Sequence, residues 1–296
     1  MSELGFAIPF YSGLGYLGRA IQSLRAQSTR RWRAVVVDDA GPDPGACELV
    51  HDLADPRIRY VRNDANLGLA KNWNRCLELV DADLVTLLHS DDELCGDYAE
   101  TVLDAHRRHP GAVAVHTGAT VIGSTSRRIF SLPDFVKGFT GPSRRRENVT
   151  AGDEGLATVL RGQFIFCPAL SYKTQLLPDE PFDSGWQQVL DLDLIARLLF
   201  EGQRIVGVPP RAYRYRRHPA SQTALLTSSR DRFREEFALY DQIARRAEAR
   251  GWGRSATVAR HARIVRAHLV YRALESALRG RVREAQSTVS LLRARQ

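Results

Sequence analysis

The sequence predicts an α/β protein: a mostly parallel, doubly wound central sheet flanked by helices, with a C-terminal all-helical appendage. Three observations predict it. Short apolar runs alternate with segments of helical period up to about residue 220. Val35-Val36-Val37 and Leu84-Val85-Thr86-Leu87-Leu88 are continuous or nearly continuous apolar runs, as strands buried on both faces of a parallel sheet require. From Ser228 onward only the helical period remains.

The elements follow in order. Phe6-Ala7-Ile8-Pro9 is a strand ending in a loop from Phe10 to Gly15. Residues 16–27 place Leu17, Ile21 and Leu24 at helical spacing. Trp32 to Val37 is a buried strand that runs into the turn-rich Asp38 to Asp43. Residues 45–54 read as helix, Ile58 to Val61 as strand, and Asn63 to Gly68 as loop. A helix over 69–80 leads to the strand Leu84 to Leu88, which ends at His89-Ser90-Asp91-Asp92-Glu93. A helix over 97–109 and a strand from Ala112 to His116 complete this half. Residues 123–155, with Gly, Pro, Ser and Arg144-Arg145-Arg146, predict a mobile loop or excursion. Residues 156–161 predict a helix, and Gly162 to Leu170 a strand interrupted by Pro168. Residues 187–201 carry a strong helical period closed by Gly202. Arg204 to Val208 is a further strand, and Tyr213 to Pro219 closes the core. Three apolar stripes, broken at Gly251, Gly253 and Gly280, predict about three tail helices. The expected division is 1–220 for the α/β unit and 221–296 for the helical region.

Composition removes several classes. With 44% hydrophobic residues in 296, the chain can bury a sizeable core, so disorder throughout is excluded. No run of about 18 apolar residues is present to span a bilayer. The opening MSELGFAIPFYS lacks the features of a signal peptide. Cys47, Cys76, Cys95 and Cys167 lack metal or disulfide spacing, and a cytoplasmic location is expected. Net charge is +8, but residues 221–296 hold 16 arginines against 7 acids, so the body is near neutral. With 39 arginines and only Lys71, Lys137 and Lys173 as lysines, the arginine bias is general and a poor nucleic-acid signal. The tail also lacks the interleaved aromatics of a single-strand binder, so no nucleic-acid partner is expected. Solvated helical faces, peripheral contact with the inner face of a membrane, and a homodimer through the tail remain open.

Polar, acidic loops follow three strands, and open parallel sheets bind ligands beyond the carboxyl ends of their strands. The candidate site is therefore Pro9–Ser12, Asp38–Asp39, Asn63–Lys71 and His89–Asp92. Adjacent carboxylates at Asp91 and Asp92 are costly unless a cation neutralises them, and oxygen ligation suits Mg²⁺ or Mn²⁺. A helix N-cap at Ser90 or Asp91 is the alternative. Asp38 or Asp39 can accept from an imide N–H of a base, or form an Asx turn into Gly41-Pro42.

These segments, in this order, resemble family 2 glycosyltransferases of the GT-A, Rossmann-like fold, from residue 5 to about 220. Ile8-Pro9-Phe10-Tyr11-Ser12 resembles the strand and loop that wrap the nucleotide, and Val37-Asp38-Asp39-Ala40-Gly41 the segment whose second acid meets the base. Asn66-Leu67-Gly68 through Lys71 and Asn72 resembles a further nucleotide segment. Leu87-Leu88-His89-Ser90-Asp91-Asp92 resembles the D-x-D-D metal motif with His89 replacing its first acid. Phe182-Asp183 with Asp191-Leu192-Asp193-Leu194 resembles the segment of the catalytic base, with Leu190 in place of the usual Glu. Gly162 to Pro168 resembles the donor-sugar and acceptor lining, and Tyr215 to Pro219 the end of the core.

The resemblance implies Pro9, Tyr11, Asp39, Asn66, Lys71 and Asp91 at the nucleotide-sugar, Asp91, Asp92 and His218 at Mg²⁺ or Mn²⁺, and Asp191 as catalytic base. It implies an inverting transfer from a nucleotide-diphosphate sugar, UDP-linked by preference and dTDP-linked as second choice. The acceptor is a hydroxyl on a glycan, a lipid-linked glycan or a small molecule. From the residues alone, Asp191 also reads as an acid stabilising a helix N-terminus, and His218 as part of a basic surface patch. A non-catalytic nucleotide-sugar binder with a partner-binding tail is the rival from another class. A nucleotidyltransferase is disfavoured, because Tyr11 to Gly15 lacks the basic residue that its first loop needs.

Overall fold

Four apolar runs become the parallel strands β1 (Leu4–Phe10), β2 (Trp32–Asp38), β3 (Ile58–Arg62) and β4 (Leu84–Leu87). They lie in the order β3-β2-β1-β4. The computed structural model describes residues 3–131, 142, 146–219, 221 and 231–293. Helices α1 (Leu14–Arg25), α2 (Ala46–Asp52) and α3 (Leu69–Leu79) make the crossovers. The chain continues through β5 (Glu93–Leu94), α4 (Tyr98–Arg108), β6 (Ala114–His116), β7 (Ala119–Ile122), β8 (Asn148–Thr150) and α5 (Gly152–Gly162). It then forms β9 (Leu170–Lys173), α6 (Leu190–Phe200), β10 (Ile205–Gly207) and β11 (Tyr213–Arg216). The large sheet extends as β4-β9-β6-β10-β8, with β9 antiparallel to both neighbours and β8 antiparallel to β10. A small sheet, β5-β11-β7, stands apart.

Side chains alternate across a strand, and here each face of the sheet feeds its own core. Phe6, Ile8 and Val36 pack with Leu17, Ile21 and Leu24 of α1 and Val102 of α4. Ala7, Val35, Val37 and Leu87 pack on the other face with Trp73 and Leu77 of α3 and the apolar side of α6. Both faces are covered, which is why the central strands read as continuous apolar runs.

The tail forms α7 (Asp231–Ala249), α8 (Gly253–His261), α9 (Arg263–Leu278) and α10 (Val282–Arg293). Among the described residues it has four helices where about three were expected. Ala262, at φ 43°, breaks the stripe from Val258 to Leu269 into two helices, and an alanine gives no such signal in sequence. Phe233, Phe237, Tyr240 and Ala259 join the same core as the sheet. The Tyr240 hydroxyl donates to the Leu160 carbonyl at 2.7 Å, and Asp153 accepts from the Ser255 amide at 2.7 Å.

The strand expected over Gly162 to Leu170 is also corrected. Pro168 has no N–H to give a ladder, so Cys167–Ala169 is a 3₁₀ turn and β9 starts at Leu170. The loop expected over 123–155 falls partly on residues 132–141 and 143–145, and the expected boundary near 220 on residues 220 and 222–230. Those lie outside the described residues. Among the described residues, no helix is long and apolar enough to cross a membrane.

Candidate functional site

The carboxyl ends of β1, β2 and β4 open on one cleft of about 1480 Å³. Single small-molecule sites run to roughly 300–1,000 Å³, so this cleft has room for two reactants. Pro9, Tyr11, Asp39, Asn66, Asp91, Asp191 and His218 all line it.

The two adjacent acids after β2 divide their work. Asp38 is fully buried; its Oδ1 accepts from the Gly41 amide at 2.8 Å, the Asx turn, and its Oδ2 from the Tyr60 hydroxyl at 2.6 Å and from Arg62. Burial, then this bond to Asp38, pushes the Tyr60 phenol up to about 12. A Cβ on Gly41 would lie 1.7 Å from the Tyr11 carbonyl oxygen, so only glycine lets the two loops meet. Asp39 faces the cleft and ties down its neighbours. Its Oδ1 accepts from Asn63 and the Leu67 amide, both at 2.8 Å, and its Oδ2 from the Gly68 amide at 3.0 Å. Asn66 in turn donates to the Asp39 carbonyl at 3.3 Å.

Lys71 is exposed on α3 and is not among the residues lining the cleft, since that helix turns Ala70, Asn72 and Trp73 inward.

After β4 the chain brings His89, Asp91 and Asp92 together, with one potential ligand atom of each within 4.8 Å of the others. The Asp91 side chain faces the cleft and its Oδ2 lies 3.0 Å from His218 Nε2. Asp92 is fully buried behind it. It accepts from the Arg216 amide at 2.6 Å and the Tyr213 hydroxyl at 3.0 Å. Burial opposes ionisation of Asp91, yet the His218 hydrogen bond and the nearby imidazoles hold its pKa below the ordinary value. Burial and the Asp91 charge push Asp92 well above it. This split is what two carboxylates show when they share a site.

A divalent cation fits this group on one observation in particular. The His89 ring stands beside the carboxylates, with Nδ1 3.9 Å from Asp92 Oδ2, and its Nε2 is buried with no hydrogen-bond partner among the described residues, so no protein partner fixes the tautomer of this imidazole. Its pKa is lowered by burial, although Asp91 pulls the other way. Neutral imidazole is the form that ligates metals.

His89, expected at the site in place of the motif's first acid, joins the acid group. Several site residues were not visible in sequence: Trp73 packs on the His89 ring at 5.0 Å, and Tyr16 lies 4.9 Å from the His218 ring. Arg216 is buried and donates to the Asp91 carbonyl, the Gly123 carbonyl, Ser126 and Glu93. Its signal in sequence was only that of a basic pair with Arg217.

Asp191 sits in the first turn of α6 and lines the cleft. Its Oδ1 accepts from the Leu192 amide at 2.9 Å. Asp193, two residues on, is buried and paired with Arg197 at 2.8 Å. Cys167 lines the cleft too, and burial followed by the charges of Asp191 and Asp92 pushes its thiol up. The tail helices complete the wall with Arg232, Glu236, His268 and Tyr271.

Residues 6–164 match the family described as glycosyl transferase family 2. Among curated proteins, an uncharacterized protein of Mycobacterium tuberculosis, MT1568, is 31% identical over 33% of this chain and 31% of its own length. The teichoic acid poly(glycerol phosphate) polymerase of Staphylococcus epidermidis is 27% identical over 40% of this chain and 17% of its length. Glycosyltransferase GlyA of Streptococcus pneumoniae is 29% identical over 36% and 16%. The chain thus spans less than a third of the length of these three relatives. Among solved structures, S. aureus TarS 1–349 in complex with UDP-GlcNAc superposes with a TM-score of 0.63, at 16% identity, over 99% of this chain and 92% of that one. At that identity the likeness is one of fold.

Proposed function

The chain belongs to glycosyl transferase family 2, and from that premise we propose that it moves a sugar from a nucleotide diphosphate to an acceptor hydroxyl, with inversion at the anomeric carbon. The observation that carries the reading is the single cleft that holds the strand-end group of Asp91 beside His89 and also Asp191. The donor is UDP-linked, with dTDP as second choice. An imide N–H suits Asp39, and the TarS neighbour was solved with UDP-GlcNAc.

Pro9, Tyr11, Asp39 and Asn66 hold the nucleotide end. Asp91, Asp92 and an imidazole from His89 or His218 would hold Mg²⁺ or Mn²⁺. Such an ion supplies positive charge to a diphosphate leaving group. Asp191 takes the proton of the acceptor hydroxyl as that oxygen attacks the anomeric carbon. Residues 1–220 form the catalytic unit, and the helices beyond it close the acceptor end of the cleft through Arg232, Glu236 and His268. The acceptor is a hydroxyl of a glycan, a lipid-linked glycan or a small molecule.

Thermal shift tests this. Wild-type protein is melted with UDP, dTDP, GDP or CDP, each with Mn²⁺, Mg²⁺ or EDTA, beside Asp91→Asn and Asp191→Asn. Ligand at 100 times its Kd adds about 2.7 kcal/mol to the folded state. The expected result is a UDP shift that EDTA and Asp91→Asn abolish and Asp191→Asn retains. Asp191→Asn is further expected to lose donor turnover by a factor on the order of 10²–10⁴. Folded protein that shifts with no nucleotide sinks the reading.

A further inference from the structure

Helix α9 has two kinds of apolar residue. Ile264, Val265 and Ala267 line the cleft, whereas Val270, Leu274 and Leu278, one turn apart, point to no cover. Leu274 is 59% exposed and Leu278 89%. The chain then turns at Gly280, at φ 72°, and α10 begins with Val282, also 59% exposed. Val289 is exposed two turns further on. Arg279, Arg281 and Arg283 alternate with these residues at the tip and are exposed. Over 263–293 the chain carries seven arginines and two glutamates, net +5. One of those glutamates, Glu275, is shared by Arg272 and Arg279.

We propose that the α9–α10 hairpin docks on an anionic lipid surface, with Leu278 and Val282 entering the acyl boundary and the surrounding arginines meeting headgroup phosphates. An apolar tip between cations is the pattern of a helix that lies in a membrane interface. Charge decides the occupant. A second copy would bring its own Arg279, Arg281 and Arg283 against these, whereas an anionic surface complements them. Tyr271 is exposed on this helix and also lines the cleft, so the cleft opens beside the docked face. The docking does not depend on the catalytic reading, and it is measured without donor or acceptor.

The test is sedimentation of the full chain with vesicles of phosphatidylglycerol and phosphatidylcholine, or of phosphatidylcholine alone. Anionic vesicles are expected to bind at least about tenfold more tightly than neutral ones, with affinity falling as salt rises. Leu278→Ser with Val282→Ser is expected to weaken that binding by about tenfold or more. The melting temperature should hold, because both side chains are exposed. Equal binding to neutral vesicles, no binding to either, or full binding by the double variant overturns the proposal. So does a wild-type dimer in light scattering that the double variant converts to monomer, which would assign the face to a second copy.

Discussion

Arg216 shows how a residue far from the acids in sequence governs them in space. Its backbone amide donates to Asp92 and its guanidinium to the Asp91 carbonyl, Glu93 and the 123–126 turn, with the Tyr16 ring 4.9 Å away. Five donors in a fixed fork meet acceptors from two segments, and a lysine ammonium cannot span them. Arg216→Lys is therefore expected to lose stability on the order of 1–3 kcal/mol: Glu93 keeps Arg214 and Ser126, but the buried Asp91 and Gly123 carbonyls lose their guanidinium donors. The metal-dependent nucleotide shift should also weaken, and urea unfolding with thermal shift reads both. Unchanged midpoints would show that Arg216 does not hold the acids. The acids themselves were legible in sequence because adjacent carboxylates after an apolar strand are chemically expensive. His89 was legible as the residue in place of the motif's first acid, but Arg216 was not. Its role comes from contacts to partners such as Asp92 and Tyr16, and a chain read linearly does not show which residues meet.

Elements were legible in proportion to their length and burial. Strands β1 to β4 and helices α1, α3, α4 and α6 lie within a few residues of their sequence expectation, because each buries a full stripe or both faces. The two-residue β5 and three-residue β8 carry no periodicity to read, and they form because β11 and β10 offer partners. The pairing of α4 with β9 makes a prediction at this scale. His106 of α4 is buried and meets the Ser171 hydroxyl of β9 at 3.2 Å. Burial first, and the Lys173 charge second, lower its pKa from 6.5 to about 4. The unfolded chain then binds a proton in that window that the folded chain refuses, so stability is full above pH 6.5 and falls as the pH drops towards 4. The loss reaches about 3 kcal/mol at most. His106→Gln keeps a neutral polar group and should lose correspondingly less between pH 7 and 4.5 in urea titrations. Equal losses in both proteins would show that the imidazole does not titrate on unfolding.

At the scale of the whole molecule, the sequence separates a catalytic unit from a basic helical tail, because the charge and the periodicity both change near residue 220. The structure joins them through packing. Phe233, Phe237, Tyr240 and Leu269 belong to the same core as Val35, Leu87 and Leu194. Asp153 holds the amides of Arg254 and Ser255 at the start of α8. Two units that share one core cannot melt apart, because exposing one strips the other of its apolar cover. Calorimetry is therefore expected to show one transition for the full chain. Phe237→Ala should shift that transition as a whole, by about 3–5 kcal/mol for a buried phenylalanine, and no separate low-temperature step should emerge. A chain cut before α7 should be open to protease within the α/β unit itself, because α5 and α6 would lose their cover. Two resolved transitions, or a truncated α/β unit that resists protease as the full chain does, would return the tail to the status of an appendage. A single transition would mean that α7 and α8 are part of the catalytic body, and that whatever α9 and α10 touch is coupled mechanically to the wall of the cleft.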